Sequence, residues 1–227
     1  MLHDLKLHLS LNKWGEKILI LIFTCLNLKA LEAEDSYLTL AGNSEAIYKE
    51  KGSKFLAFAY PVSSEEEIKE HLESLRKKYF DARHHCYAYM LGKEMTQYRA
   101  NDDGEPNHSA GDPILGQIRS NQLTNVLIVV IRYFGGTKLG VSGLIQAYKT
   151  AAGEAIAANT IVTEILCSTV SVSFDYIQMN QVMKIIKDYQ LDILEQTFDN
   201  TCLMKIKVRQ ALTTEVREKF AEVANVD

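Results

Sequence analysis

The residues from Tyr98 to Asp112 read YRANDDGEPNHSAGD and crowd Asp102, Asp103, Glu105 and His108 into one glycine-bearing loop. Carboxylates and an imidazole at that density have two chemical uses. They can hold a divalent cation through oxygen, or act as general acid and general base on a phosphate or peptide substrate. The same residue types also make loops that bond to themselves, with Asp and Asn side chains satisfying nearby backbone groups. All the ligands sit in one loop and no second cluster completes a shell, so the sequence assigns no metal and no cofactor. Nor does it hold a nucleophile elbow, an H-E-x-x-H helix or a complete triad, and the reading leans away from an enzyme. Asp102, Asp103, Glu105 and His108 are catalytic candidates only for the alternative of a metal-assisted hydrolase acting on a phosphate or a peptide.

A second pattern, from Asn125 to Asn159, suits an anion. Val126 to Ile131 is an unbroken apolar run rich in β-branched residues, as a strand buried on both faces requires. Arg132 and Tyr133 bring polar groups to its end. Gly135, Gly136 and Gly140 follow, where the backbone can approach another surface because no Cβ intervenes. An Ala-rich helix comes next, with Leu144, Ala147, Tyr148, Ala151 and Ala155 at near-helical spacing. A strand, a glycine turn carrying Lys138 and the free N–H groups of a helix start together make an anion site. The glycines match neither a Walker loop nor the dinucleotide-binding spacing, so tight packing of strand on helix accounts for them equally well.

Other elements must position these groups. Arg83 to Met90 alternates like a strand, with Cys86, Ala88 and Met90 facing one way and Tyr87 and Tyr89 the other. His84 and His85 therefore point to opposite faces and cannot easily share a metal; one of them can line a site with Arg83. Ala46 to Tyr48 and Phe55 to Tyr60 read as a hairpin whose turn, Lys51-Gly52-Ser53, is basic, with Lys49, Lys51 and Lys54. Ser64 and Glu67 make a capping-box pattern before a helix with Ile68, Leu72, Leu75 and Tyr79 on one face. Asp112 is expected to cap a helix with Pro113 at its first position and Ile114, Leu115 and Ile118 turned inward.

Beyond Glu164 the pattern becomes strand, helix, two strands, helix, carried by Thr169 to Phe174, Val182 to Tyr189, Leu191 to Phe198, Thr201 to Arg209 and Val216 to Val223. That is most of a ferredoxin-like unit with its last strand missing. Lys205, Lys207 and Arg209 alternate onto one strand face, toward RNA or water.

The 227 residues suffice for one large or two modest domains, and a formal charge of −4 carries no overall basic field for nucleic acid. Four cysteines without a C-x-x-C pair favour a reducing compartment, hence a cytoplasmic protein. Lys13 and Lys17 precede the apolar run Ile18 to Leu26, too short to span a bilayer but long enough for the core of a signal peptide. Asp4, Glu16 and the lack of a convincing cleavage site make export the lesser alternative. No membrane role is assigned, and residues 1–35 are read as a disordered or accessory N-terminal extension.

Three motifs then add up to a family. Arg83-His84-x-Cys86-x-Ala88 comes first, and Asp102-Asp103-Gly104-Glu105-Pro106 with Ala110-Gly111-x-Pro113-Ile114-Leu115 follows. The third is Val130-x-Arg132-Tyr133-Phe134-Gly135-Gly136-x-Lys138-Leu139-Gly140 with Gly143-Leu144-x-x-Ala147-Tyr148. In this order they closely resemble the YigZ/IMPACT family. Asn107-His108-Ser109 and Ser142 depart from its usual pattern. The resemblance implies an α+β protein. Residues 36–164 would form an Impact-type N-terminal domain like the second domain of a small-subunit ribosomal protein, and 165–227 the ferredoxin-like domain. That pair looks like the fourth and fifth domains of elongation factor G. Eukaryotic members are regulators of translation that compete for the activator of a starvation-sensing kinase, a partner that does not transfer to a bacterial-type two-domain chain.

The resemblance thus implies a translation-associated regulator engaging RNA, a ribosome or a protein partner. Its anion-binding candidates are Arg83, His84, Arg132, Gly135, Gly136, Lys138 and Gly140, with Lys49, Lys51 and Lys54 as a flanking patch. The expectation is specific: Arg132, Lys138 and the start of the histidine-bearing strand converge on one pocket. A protein-binding adaptor is the further alternative.

Overall fold

The computed structural model describes residues 35–199 and 201–227. The extension expected over residues 1–35 therefore lies, but for Asp35, outside the described residues. The described chain divides into two compact units, one spanning Tyr37–Glu164 and one holding Ile165–Asp227 with residues 35 and 36.

The first unit is built on a five-stranded sheet in the order β2-β3-β6-β4-β5. These strands are β2 (Ser44–Glu50), β3 (Ser53–Pro61), β4 (His84–Leu91), β5 (Gln97–Asn101) and β6 (Val126–Tyr133), and all the pairings are antiparallel. The apolar run predicted to be buried on both faces is the central strand. Val126, Ile128 and Val130 join a core with α2 (Gly111–Ser120) and α3 (Gly140–Ala157), while Leu127, Val129 and Ile131 face α1 (Glu65–Lys78). The predicted alternation of β4 is met as well, Cys86, Ala88 and Met90 lying in the first core and Tyr87 and Tyr89 in the second. A short pair, β1 (Ser36–Leu40) with β7 (Ile161–Ile165), forms a separate two-stranded sheet.

Local chemistry explains the connections. The hairpin between β2 and β3 turns on Lys51 at φ 46° and Gly52 at φ 82°, the pair of positive angles that matches strand twist in a two-residue loop. Ser64 caps α1 by accepting from the Glu67 N–H at 3.2 Å, but Glu67 returns its carboxylate to Ser63 N–H at 2.6 Å rather than to the cap itself. Residues 97–101, read from sequence mainly as the start of the polar loop, form edge strand β5. Its alternation is concealed because an edge strand beside solvent can be polar on nearly every residue.

The second unit contains β8 (Cys167–Phe174), α4 (Met179–Asp188), β9 (Asp192–Phe198), β10 (Cys202–Arg209), α5 (Thr213–Ala221) and β11 (Asn225–Val226). Sheet order β11-β8-β10-β9 is that of a ferredoxin-like fold. The last strand, expected to be missing, is present in shortened form: Asn225 and Val226 pair with Ser173 and Val172 of β8. Two residues are too few to register as an alternating pattern. On the outer face of β10, Lys205 is held by Glu195 at 2.8 Å and Arg209 by Asp35 at 2.7 Å. Burial alone would raise the Asp35 carboxyl, but the Arg209 bonds and charge outweigh it and hold it below the ordinary aspartate value. Among the described residues no helix is long and apolar enough to cross a membrane.

Candidate functional site

The sheet of the first unit ends in three residues aligned across neighbouring strands. Phe55 of β3 pairs with Arg132 of β6, and Arg132 pairs with His84 of β4. At this edge, where β4 begins and β6 ends, a cleft of about 360 Å³ is lined by Asp81, Ala82, Arg83, His84, Arg132, Tyr133, Phe134 and Lys138. Arg83, His84, Arg132 and Lys138 thus share one cleft.

They are not equivalent. The Arg132 guanidinium is buried between Phe55 and Phe134, its carbon 5.7 Å from each ring centroid, and Nη1 donates to Glu105 Oε1 at 2.6 Å. The same carboxylate oxygen accepts from the Tyr148 hydroxyl of α3 at 2.9 Å. Cys86 completes the buried set: its thiol donates to the Asp102 carbonyl at 3.0 Å and lies 3.3 Å from the Tyr148 hydroxyl. Burial pushes the Cys86 thiol and the Tyr148 phenol upward, so both stay protonated at neutral pH. The charge of Arg132 is therefore spent on Glu105, and its part in the cleft is to floor it.

Arg83 and Lys138 are exposed and, among the described residues, have no ion-pair partner. His84 Nδ1 lies 2.9 Å from the Asp103 carbonyl, which only accepts, so Nδ1 carries the proton and Nε2 is the ring's remaining polar atom. Asp81 adds one negative charge at the rim, where it accepts from the Tyr133 hydroxyl at 2.7 Å; that bond pushes the phenol up to about 12.

The glycines divide by role. A Cβ on Gly135 would fall 1.8 Å from the backbone carbon of Gly52, so the turn after β6 packs main chain on main chain against the hairpin tip. Close packing is therefore present at Gly135, but against the β2–β3 hairpin and not of strand on helix as the sequence suggested. Gly136 and Gly140, at φ 85° and 74°, have open space where a Cβ would stand, and serve to bend the chain. The N–H groups at the start of α3 have no side-chain cap. Lys49 and Lys54 stand opposite each other on the hairpin and Lys51 occupies its tip, next to Gly52, whose backbone touches Gly135.

The acidic loop is organised from within. Asp102 Oδ1 accepts from Ala110 and Gly111 N–H at 2.9 and 2.8 Å, and Oδ2 accepts from His108 N–H at 2.8 Å. Asp102 thus serves the start of α2, which begins at Gly111 after Ala110; the expected cap, Asp112, lies inside the first turn and meets His108 Nδ1 at 2.6 Å. Sequence proximity pointed to Asp112, whereas the acceptor reaches back across the loop. Asp103 binds Arg76 at 2.9 Å and His85 N–H at 2.7 Å. Burial would raise its carboxyl, but the Arg76 and His85 bonds hold it below the ordinary aspartate value. His84 and His85 do point to opposite faces. His85 is buried with Nε2 lacking a protein partner, and burial, then the Arg76 charge, lowers its pKa. No group of three or more metal-ligating side chains exists among the described residues.

Ala82, Tyr133, Phe134 and Asp81 line the cleft without having been chosen from sequence. Tyr133 reads from sequence as a polar group at the strand's end, and Phe134 offers a further local signal, a large apolar side chain placed between a buried strand and a glycine turn.

Comparison with known proteins agrees with this framework. The Impact N-terminal domain model matches residues 51–156. YvyE, an IMPACT family member of Bacillus subtilis strain 168, is 31% identical over 192 residues, covering 84% of this chain and 88% of that one. YigZ, an IMPACT family member of Escherichia coli K12, is 27% identical over 190 residues, covering 83% and 93%. A solved crystal structure of a hypothetical protein superposes with a TM-score of 0.64 at 26% identity, over 85% of this chain and 96% of the other. The chain belongs to the IMPACT family.

Proposed function

We propose that this protein acts in the control of translation, in the cytoplasm and without catalysing a reaction, by binding RNA through its phosphates at the cleft between the start of β4 and the end of β6. The observation that carries the reading is the division of charge at this end of the sheet. Arg76 and Arg132 are committed to Asp103 and Glu105, whereas Arg83 and Lys138 line the cleft without an ion-pair partner among the described residues, beside the single carboxylate of Asp81. Family membership supports translation as the setting. The hairpin that carries Lys49, Lys51 and Lys54 has its tip glycine against Gly135, which supports counting these lysines as a flanking patch. The loop carboxylates favour no hydrolase, since Asp102, Asp103 and Glu105 each accept bonds that hold the fold together.

A chain of net charge −4 that offers a few cations gains affinity from a small number of phosphate contacts. Binding to single-stranded RNA or to ribosomes should weaken with salt, and Arg83→Ala or Lys138→Ala should each reduce the log–log salt slope by about 0.7. Ribosome co-sedimentation and RNA titration at two salt concentrations measure this. Absence of any salt-sensitive binding overturns the reading, and a partner retained after ribonuclease treatment would assign the surface to a protein instead.

A further inference from the structure

The cleft is more than a charged surface, because one wall is aromatic. Phe134 remains 59% exposed although it follows a strand whose preceding apolar residues are buried. Its position is fixed from beneath: the Arg132 guanidinium lies 5.7 Å from the ring centroid and is itself tied to Glu105. An exposed aromatic side chain is ordinary by itself, and what sets Phe134 apart is its place in the lining of a cleft that also holds two cations. Arg83 and Lys138, both free to meet an anion, line the same cleft, and Ala82 and Tyr133 complete an apolar side. A planar face in a cleft with two cations fits one ligand chemistry, a flat heteroaromatic ring carrying a phosphate.

We infer that the cleft takes a single unpaired nucleotide of an RNA strand, its base stacked on Phe134 and its phosphate between Arg83 and Lys138. The inference rests on the RNA-phosphate reading above and narrows it to an unstacked base. A volume of about 360 Å³ is near the lower end for ligand clefts and suits one nucleotide rather than a helix. Bases within a duplex are stacked on each other and offer no free face, whereas single strands present theirs to aromatic side chains. Because every base has such a face, the site reads strandedness and not sequence.

The test uses the full chain with three labelled probes of equal length: oligouridylate, the corresponding duplex, and an abasic strand with the same phosphates. The wild-type protein should prefer the oligouridylate over both others. Phe134→Leu keeps apolar bulk above Arg132 but removes the aromatic face; it should weaken oligouridylate binding by roughly 5- to 150-fold, the range measured for loss of one stacked base. Its affinity for the abasic strand and its salt slope should stay at wild-type values, and Phe134→Trp should restore binding. Far-UV circular dichroism checks the fold of each variant. Equal wild-type affinity for abasic and base-bearing strands, or an unaffected Phe134→Leu beside a weakened Arg83→Ala, overturns the inference and leaves the phosphate reading standing. No salt-sensitive binding to any probe overturns both. Tighter, Phe134-dependent binding of a phosphotyrosine peptide than of oligouridylate also overturns it.

Discussion

Glu105→Ala should strand a guanidinium inside the first unit. Arg132 Nη1 and Glu105 Oε1 are 2.6 Å apart, with side chains only 8% and 4% exposed. Tyr148 donates to the same oxygen at 2.9 Å, and Arg132 Nε already finds no acceptor among the described residues. Breaking a buried pair from one side costs about 3–5 kcal/mol, and the lost hydroxyl bond adds about 1 kcal/mol. With a urea dependence of about 2 kcal/mol per molar, the unfolding midpoint should fall by roughly 2–3 M. Removing both charges, as Glu105→Leu with Arg132→Met, should bring stability back to within about 1–2 kcal/mol of the starting protein, because apolar replacement of a buried pair is often neutral or better. Far-UV circular dichroism follows the titration, and amide exchange along β6 isolates the first unit from the second. A loss under about 1 kcal/mol for Glu105→Ala, the scale of an exposed pair, would mean that Arg132 is not a buried structural charge. Arg132 would then return to the list of groups available to an anion.

Gly135→Ala places a methyl carbon 1.8 Å from main-chain carbon and should cost at least about 3 kcal/mol, whereas Gly136→Ala has room and meets only its φ of 85°, worth about 1–2 kcal/mol. Thermal midpoints should rank them in that order, and the reverse order would contradict the packed corner. Asp102→Ala removes the acceptor of three backbone N–H groups and should destabilise by at least about 2 kcal/mol, with Asp102→Asn between it and the parent in urea titration. Stability should also fall on mild acidification through His85. Its folded pKa lies below 6.5, so under that pH the unfolded chain takes up a proton before the folded one does. Urea midpoints at pH 7 and 5.5 measure the fall, and His85→Leu should flatten it. Asp103 acts lower down, its contribution being present above pH 3.8 and lost as pH drops through its depressed folded value.

Much of the fold could be read from local pattern, because the elements concerned carry their signal in consecutive residues. Val126 to Ile131 announces a strand covered on both faces, Lys51-Gly52 a tight hairpin turn, and Val182 to Ile186 the helix of the second unit. What escaped is non-local. The start of α2 is served by Asp102 rather than by its neighbour Asp112. The pairing of β1 with β7 joins segments from opposite ends of the first unit, and β11 is too short to show a period. The site divides in the same way. Residue types in three motifs singled out Arg83, His84, Arg132 and Lys138, but only coordinates could reveal that Glu105 consumes one of those charges and that Phe134 stays in water beside the others.

The contact of Gly52 with Gly135 has an architectural result. Because the backbones of these two turns touch and the Ser53 hydroxyl accepts from the Gly135 N–H at 3.2 Å, the hairpin tip is held against the turn after β6. The backbone spacing is fixed there, while the lysine ammonium groups keep the freedom of their flexible stems. The two turns, far apart in the chain, can change only together, since bulk added to one demands retreat by the other.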